Sequence, residues 1–125
     1  MKKNAFTLIE LLAVIVILGI LATIAVPTIV GIISDSRENT LDEQKNTIVD
    51  AAERWGTDNV RSLPNTSCDV SIDFLKKEGY LDSEREVVDP TTNKTMTGCV
   101  RITFDSTNNQ YKYSYVNSCS STKCK

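Results

Sequence analysis

The chain has 125 residues, four cysteines and no histidine, and its formal net charge is −2. This length allows one small domain in addition to a membrane segment. The slightly acidic balance, without a basic patch, does not favour a nucleic-acid-binding protein. The absence of histidine excludes a conventional catalytic triad, and the sequence has no glycine-rich phosphate loop. The carboxylates are spread over expected helix surfaces rather than paired in a cleft. We therefore expect no enzyme activity and no cofactor.

The most informative feature is an uncharged run of 23 residues, 11–33, which follows two lysines and Glu10. As an α-helix with a rise of about 1.5 Å per residue, the run would be about 35 Å long, enough to cross roughly 30 Å of hydrocarbon. A carboxylate at the edge of such a run is costly unless it has a partner. Lysines before the run and cysteines after it place the C-terminal part outside the cytoplasm.

The junction before the apolar run differs from an ordinary secretory signal. Such a signal has a short apolar stretch followed by a small-residue cleavage site. Here the stretch is long, and the small residue, Ala5, precedes it. Cleavage between Ala5 and Phe6 would retain the helix and create an α-amino group four residues before Glu10. We predict that this amine neutralises Glu10 in the same chain or in a neighbouring one.

Residues 2–12 read KKNAFTLIELL, and this string resembles the class III signal of type IV pilins and pseudopilins. The resemblance implies that an inner-membrane prepilin peptidase cuts before Phe6 and methylates the new amine. It also implies that Glu10 guides each subunit into a growing filament. The family normally carries glycine at the position of Ala5. Because the peptidase needs a small side chain there, we expect cleavage after Ala5.

The resemblance implies a structural subunit of a type IV pilus-like filament that serves surface adhesion, motility or DNA uptake. The filament would be a homopolymer, built through the N-terminal helix by an assembly ATPase and an inner-membrane platform. Before assembly the chain would cross the bacterial cell membrane once, and afterwards it would lie in an extracellular filament. Two alternatives stay open: a pseudopilin of a type II secretion or competence system, and a monomeric membrane-anchored binding module.

Gly19 and Pro27 lie within the apolar helix. Proline removes a backbone donor and clashes with the preceding turn, so Pro27 is expected to kink or loosen the helix. The resemblance implies that the segment between Gly19 and Pro27 unwinds in assembled pili. Because the helix is apolar on every side, it must be buried on every side, by lipid or by neighbouring copies.

We expect three segments: a leader at 1–5, a hydrophobic transmembrane and filament-core helix at 6–33, and a globular domain at 34–125. Apolar residues at spacings of three, four and seven predict one face of a continuing helix that ends near Gly56. The residues of this face are Leu41, Gln44, Ile48, Ala51, Ala52 and Trp55. A loop is expected at 56–69, followed by a short helix at 72–78 that Ser71 caps and Gly79 ends.

Two alternating segments predict an antiparallel hairpin. Their apolar rows are Val100, Ile102 and Phe104, and then Tyr111, Tyr113 and Tyr115. A two-residue turn at Asn108-Asn109 would set Phe104 opposite Tyr113. Both rows should cover the apolar helix face, which gives an α+β fold: a long N-terminal helix packed through its C-terminal half on a small antiparallel sheet.

Cys68, Cys99, Cys119 and Cys124 predict two disulfides, since a small exported domain needs such support. A metal site is disfavoured because histidine and a Cys-x-x-Cys pair are both lacking. Four cysteines allow three pairings. The shortest loops favour Cys68–Cys99 with Cys119–Cys124, whereas Cys68–Cys119 would close a longer loop and clamp the whole C-terminal region. The resemblance implies that such bonds fasten a variable C-terminal region that carries surface recognition.

Overall fold

The computed structural model describes residues 5–124, so the expectations for Met1–Asn4 of the leader lie outside the described residues. The elements, in chain order, are α1 (Leu8–Asp58), a 3-10 turn (Val60–Ser62), β1 (Ser67–Ser71), α2 (Ile72–Lys77), β2 (Cys99–Asp105) and β3 (Gln110–Val116). This arrangement confirms the α+β class, with a long apolar N-terminal helix and a small antiparallel sheet. The chain forms two compact units, divided between Arg37 and Glu38.

The first unit is the apolar part of α1. The helix is continuous through Gly19 and Pro27, although Pro27 has no N–H to donate to the preceding turn. The hydroxyl group of Thr23 donates to the carbonyl of Ile20 at 2.6 Å, inside the same stretch. A helical stretch is therefore compatible with both residues in the single chain, and unwinding in an assembled filament stays a prediction.

The second unit has a core to which α1 contributes the predicted apolar face. Ile48, Ala51, Ala52 and Trp55 are buried, and they form one hydrophobic cluster with residues of β1, α2 and β2. The expectation for these four residues is confirmed. Leu41 and Gln44, at the start of the face, are only partly buried, because they lie near the end of the helix segment that the sheet covers.

The sheet has three antiparallel strands in the order β1-β2-β3. The expected loop at 56–69 is therefore partly wrong, since α1 continues to Asp58 and β1 begins at Ser67. β1 has only five residues, and Asp69 is buried between Cys68 and Val70. A strand this short, without alternation of apolar and polar residues, has no clear sequence signal. It is held by pairing with β2, in which Cys68 lies opposite Ile102.

Helix α2 follows its local sequence signals. The Ser71 side chain accepts a hydrogen bond from the N–H of Phe74 at 3.1 Å, which is an N-cap. Gly79 has a φ of +84°, and the N–H of Tyr80 donates to the carbonyl of Leu75 at 2.9 Å. This is the geometry of a glycine C-cap, so both expected ends are confirmed, with the helix itself ending at Lys77.

The β2–β3 hairpin forms, but its expected register is wrong by two residues. Phe104 lies opposite Tyr111 rather than Tyr113, and Asp105 pairs with Gln110. A shift of two residues keeps every side chain on its original face, because the side-chain period of a strand is two. The prediction that the two apolar rows lie on the same face of the sheet is therefore confirmed, whereas the predicted cross-strand residue pairs are wrong.

The longer turn explains the shift. Four residues connect the strands, and the Asp105 carboxylate accepts hydrogen bonds from the N–H of Thr107 at 3.0 Å and from the Asn108 side-chain amide at 2.9 Å. Asn109 adopts a positive φ of 55°, which asparagine tolerates better than most residues. The Asp105 carboxylate therefore stabilises a turn of four residues, whereas the Asn108-Asn109 pair alone predicted a turn of two.

The favoured disulfide pairing is also wrong. The structure contains Cys68–Cys124 and Cys99–Cys119. Cys99 lies opposite Ser71 in the sheet, three residues along the strand from Cys68, a separation of about 10 Å. A disulfide requires Cα atoms less than about 7 Å apart. Both strand cysteines instead bond to the segment after β3, which we call the C-terminal segment (residues 117–124).

Asp69 is the only buried charged residue among those that the structure describes. Its carboxylate accepts two hydrogen bonds from the Arg101 guanidinium, at 3.0 and 3.2 Å, and one from the Ser120 N–H at 2.7 Å. Burial raises the pKa of Asp69, but these hydrogen bonds and the charge of Arg101 outweigh that effect and hold the pKa below its usual range. The charged form is therefore favoured in the folded protein.

Acid should remove the stabilisation that Asp69 provides. Because the pKa is lowered by folding, this contribution is complete above the unfolded pKa of about 4 and is lost as the pH falls through the folded value. We expect Asp69→Asn to lower the free energy of unfolding by about 1–3 kcal/mol near neutral pH, and the difference from the unsubstituted protein to shrink below about pH 4. Urea unfolding of the full chain in detergent, followed through Trp55, the single tryptophan, measures both. A difference that stays constant down to pH 2 would contradict this account.

Candidate functional site

The site predicted from the sequence is the start of α1. Residues 5–7 are not helical, and α1 begins at Leu8. The Glu10 carboxylate accepts a hydrogen bond from the N–H of Thr7 at 3.0 Å, and the Thr7 hydroxyl accepts one from the N–H of Glu10 at 3.2 Å. This reciprocal pair is a capping box, which satisfies two backbone donors at the helix N-terminus.

The sequence contains a local signal for this cap, which was not among the predicted features. A threonine followed three residues later by glutamate, just before an apolar run, is typical of a capping box. Glu10 therefore has a partner in its own chain, namely the backbone N–H of Thr7. Among residues 5–124, no basic side chain forms an ion pair with Glu10.

The bond between Ala5 and Phe6 is accessible. Both residues are exposed, Phe6 to 87%, and both precede the helix. An amine formed at Phe6 would lie one residue before the Thr7 N–H that already donates to Glu10. The helix dipole also favours a carboxylate at this end of the helix.

The apolar surface behind Glu10 has no partner within the described chain. All large apolar side chains from Phe6 to Ile33 are exposed, with exposed fractions between 45% and 87%. α1 is long and apolar enough to cross a membrane, judged by length and composition. Gly19 and Pro27 lie in this exposed stretch, so the five predicted positions Ala5, Phe6, Glu10, Gly19 and Pro27 occur along one continuous segment.

The four cysteines, which were the other predicted site residues, belong to the globular unit and form two disulfides. Within the described part of the chain, no group of three or more histidine, cysteine or acidic residues is arranged to hold a metal ion. A shallow groove of this unit is lined by residues of α1 together with Gly79, Tyr80 and Tyr113. There the Tyr80 hydroxyl donates to the Asp58 carboxylate at 2.5 Å, which holds the segment after α2 against α1.

Residues 1–26 match the protein family described as "Prokaryotic N-terminal methylation motif". No curated protein and no solved structure matches the chain significantly. The matched segment contains the predicted cleavage position, the Thr7–Glu10 capping box and the first part of the apolar run. The match supports a class III signal of the kind found in type IV pilins and pseudopilins at the start of the chain. Proteins with this motif have structural rather than enzymatic roles.

Proposed function

We propose that the chain is the structural subunit of a type IV pilus-like filament, used for surface adhesion, motility or DNA uptake. In this proposal residues 1–5 are a leader that prepilin peptidase removes, 6–33 form the membrane and filament-core helix, and 34–125 form the domain displayed on the surface. One observation carries the proposal: a helix segment without a buried side chain begins with a capped carboxylate inside a prepilin motif.

The exposed helix requires an apolar environment. Burial of one large aliphatic side chain contributes about 1.5–3 kcal/mol, and every such side chain from Phe6 to Ile33 is at least 45% exposed. Water is therefore excluded as a stable surrounding for this segment. Lipid supplies the required environment before assembly. Neighbouring copies of the same helix would supply it in a filament, so one surface serves both states.

Glu10 provides a reason for ordered assembly. Its carboxylate lies at the edge of the apolar segment, where an unpaired charge is costly. The amine of a processed Phe6, methylated in this proposal, would be a cation of matching position on another subunit. Pairing in a low-dielectric surrounding is stronger than in water, so the contact would select one axial position for each incoming subunit. The capping box holds the carboxylate at the helix end until then.

Gly19 and Pro27 supply the flexibility that assembly would need. Glycine weakens a helix interior by about 1 kcal/mol relative to alanine, and Pro27 leaves one carbonyl of the preceding turn without its helical donor. The stretch between these residues is thus the least stable part of the apolar helix. We propose that it unwinds when helices pack side by side in the filament.

Processing should occur after Ala5 and produce a mature chain that begins with Phe6. Alanine and glycine are both small, so Ala5→Gly should be cleaved at least as fast, whereas Ala5→Leu should remain uncut because its side chain is bulky. Intact mass and N-terminal sequencing of chain purified from cells, with and without prepilin peptidase, measure this. A mature N-terminus at any residue other than Phe6 would refute the proposed site.

Immunogold electron microscopy of cells separates the filament proposal from its alternatives. Long, labelled surface fibres that disappear on deletion of the gene support a pilus subunit. Short structures confined to the envelope, with loss of secretion or transformation on deletion, would instead assign the chain as a pseudopilin. Label spread over the membrane, without any fibre and without such defects, would favour a monomeric anchored binding module.

A further inference from the structure

Asp69 lies at the centre of the region where both disulfides form. On one side its carboxylate accepts the hydrogen bond from the N–H of Ser120, the neighbour of Cys119. On the other side its own backbone N–H donates to the carbonyl of Thr122 at 2.9 Å, and its carbonyl accepts from the N–H of Cys124 at 3.1 Å. A single strand residue therefore holds the C-terminal segment at both of its cysteines.

Arg101 connects this contact to the second strand. It lies directly opposite Asp69 in the β1–β2 register, and its guanidinium holds the carboxylate through two hydrogen bonds. Such bidentate, charge-assisted pairs fix geometry more strictly than single neutral hydrogen bonds. The side chain of Asp69 is 1% exposed, so competition from water is small. The position of the carboxylate is thus defined by β1 and β2 together.

Chain entropy alone favours other disulfides. The observed bonds close loops of 56 and 20 residues. The pairing Cys68–Cys99 with Cys119–Cys124 would close loops of only 31 and 5 residues. The dependence of closure probability on loop length makes this local pairing roughly tenfold more favourable in an unfolded chain. Formation of the observed pairing therefore requires structure that brings the C-terminal segment to β1 before oxidation.

We propose that Asp69, held by Arg101, selects the disulfide connectivity by docking the C-terminal segment between Cys68 and Cys99 before either bond forms. When the Ser120 N–H donates to the Asp69 carboxylate, Cys119 lies beside Cys99. When the Cys124 N–H donates to the backbone carbonyl of Asp69, Cys124 lies beside Cys68. The same docking separates Cys119 from Cys124, which prevents the short local bond.

The exposure of the four cysteines indicates which thiol of each disulfide reacts first. In the disulfide-bonded protein the strand cysteines, Cys68 and Cys99, are buried, whereas Cys119 is exposed and Cys124 is partly exposed. A thiolate of the C-terminal segment would attack a small-molecule disulfide, such as oxidised glutathione, and release one glutathione thiolate. The adjacent strand thiolate then attacks the mixed disulfide and releases the second. For each protein disulfide, two thiols lose two protons and two electrons, and one oxidised glutathione is reduced to two thiols.

The chain contains a matched control for the Asp69 pair. Asp105 and Lys112 also form an ion pair across two strands of the sheet, with 3.2 Å between the Lys112 Nζ and an Asp105 carboxylate oxygen. Neither residue contacts the C-terminal segment in the described hydrogen bonds. Asp69→Asn and Asp105→Asn are therefore the same chemical change, with and without a contact to the segment that carries two cysteines.

Oxidative refolding of the full chain tests the proposal. Protein in detergent micelles is reduced and unfolded in urea, diluted into a glutathione redox buffer, quenched with iodoacetamide and digested with trypsin without reduction. Lys76, Lys112 and Lys123 separate the four cysteines into different peptides, so mass spectrometry distinguishes all three pairings. The result is the ratio of observed to local pairing among fully oxidised molecules.

We expect Asp69→Asn to lower this ratio about tenfold or more, since a buried charge-assisted contact is lost. Arg101→Lys, which keeps the charge but loses the bidentate geometry, should lower the ratio less, and Asp105→Asn should leave the ratio unchanged.

Leu75→Ala tests for a general loss of stability, because Leu75 is fully buried and makes no contact with the C-terminal segment in the described hydrogen bonds. It should reduce the amount of folded protein and lower the ratio less than Asp69→Asn does, because the contact that docks the C-terminal segment is retained. An unchanged ratio for Asp69→Asn would overturn the proposal, and so would an equal loss for Leu75→Ala.

Discussion

Replacement of Glu10 by alanine is expected to abolish filament assembly while cleavage after Ala5 continues. The substitution removes the carboxylate that would pair with the Phe6 amine of another subunit, and it leaves the apolar helix surface unchanged. Surface fibres sheared from cells and quantified by immunoblot should fall by at least tenfold, whereas processed chain should remain in the membrane fraction. The large size of the effect follows from the cost of leaving an amine unpaired in an apolar surrounding.

Two further variants separate the charge of Glu10 from its role in the capping box. Glu10→Gln retains an oxygen that can accept the Thr7 N–H but has no charge, so it should assemble as poorly as Glu10→Ala. Thr7→Ala removes the hydroxyl cap, which contributes about 1 kcal/mol to a helix, and should still assemble. If Thr7→Ala were as defective as Glu10→Ala, or if both Glu10 variants assembled normally, the assigned role of the Glu10 charge would be wrong.

Trp55→Ala is expected to unfold a large part of the globular unit. Trp55 is 1% exposed and packs edge-on against the Phe74 ring, with 5.4 Å between ring centroids. Truncation of a buried tryptophan costs about 3–5 kcal/mol, a substantial fraction of the 5–15 kcal/mol that is typical of a whole domain. The urea midpoint of the full chain in detergent, followed by far-UV circular dichroism, should fall sharply.

Val60→Ala serves as the control for the tryptophan variant. Val60 is also apolar and lies just after the same helix, but it is 50% exposed. Its truncation should change the free energy of unfolding by no more than about 0.5 kcal/mol. Equal stability of the Trp55 and Val60 variants would show that the core is not organised around Trp55.

Features that depend on local sequence could be predicted. The spacing of Ile48, Ala51 and Trp55 identified the buried face of α1, because a helix repeats every 3.6 residues. Ser71 and Gly79 marked the ends of α2, because each satisfies backbone groups within its own turn. The capping box of Glu10 has the same kind of local signal, in Thr7 and Glu10. The prediction for Glu10 considered only an amine as its partner, so the cap was missed.

Features that depend on distant residues could not be predicted in the same way. β1 is defined by pairing with β2, about 30 residues later in the chain, and a buried Asp69 conceals its strand character. The hairpin register depends on how Asp105 stabilises the turn. The disulfide pairing depends on the return of the C-terminal segment to β1. Loop length, the one criterion that the sequence supplied, favoured the local pairing and was outweighed by these contacts.

A density map of fibres sheared from cells that produce this chain tests the central claim most directly. We predict a helical homopolymer in which the segments 6–33 form the core. In it each Glu10 carboxylate should lie within about 4 Å of the Phe6 amine of a neighbouring subunit, the distance of an ion pair. A fibre with these helices on its outside, or with Glu10 far from every amine, would contradict the account. So would processed chain that stays monomeric in the membrane while the assembly machinery is intact.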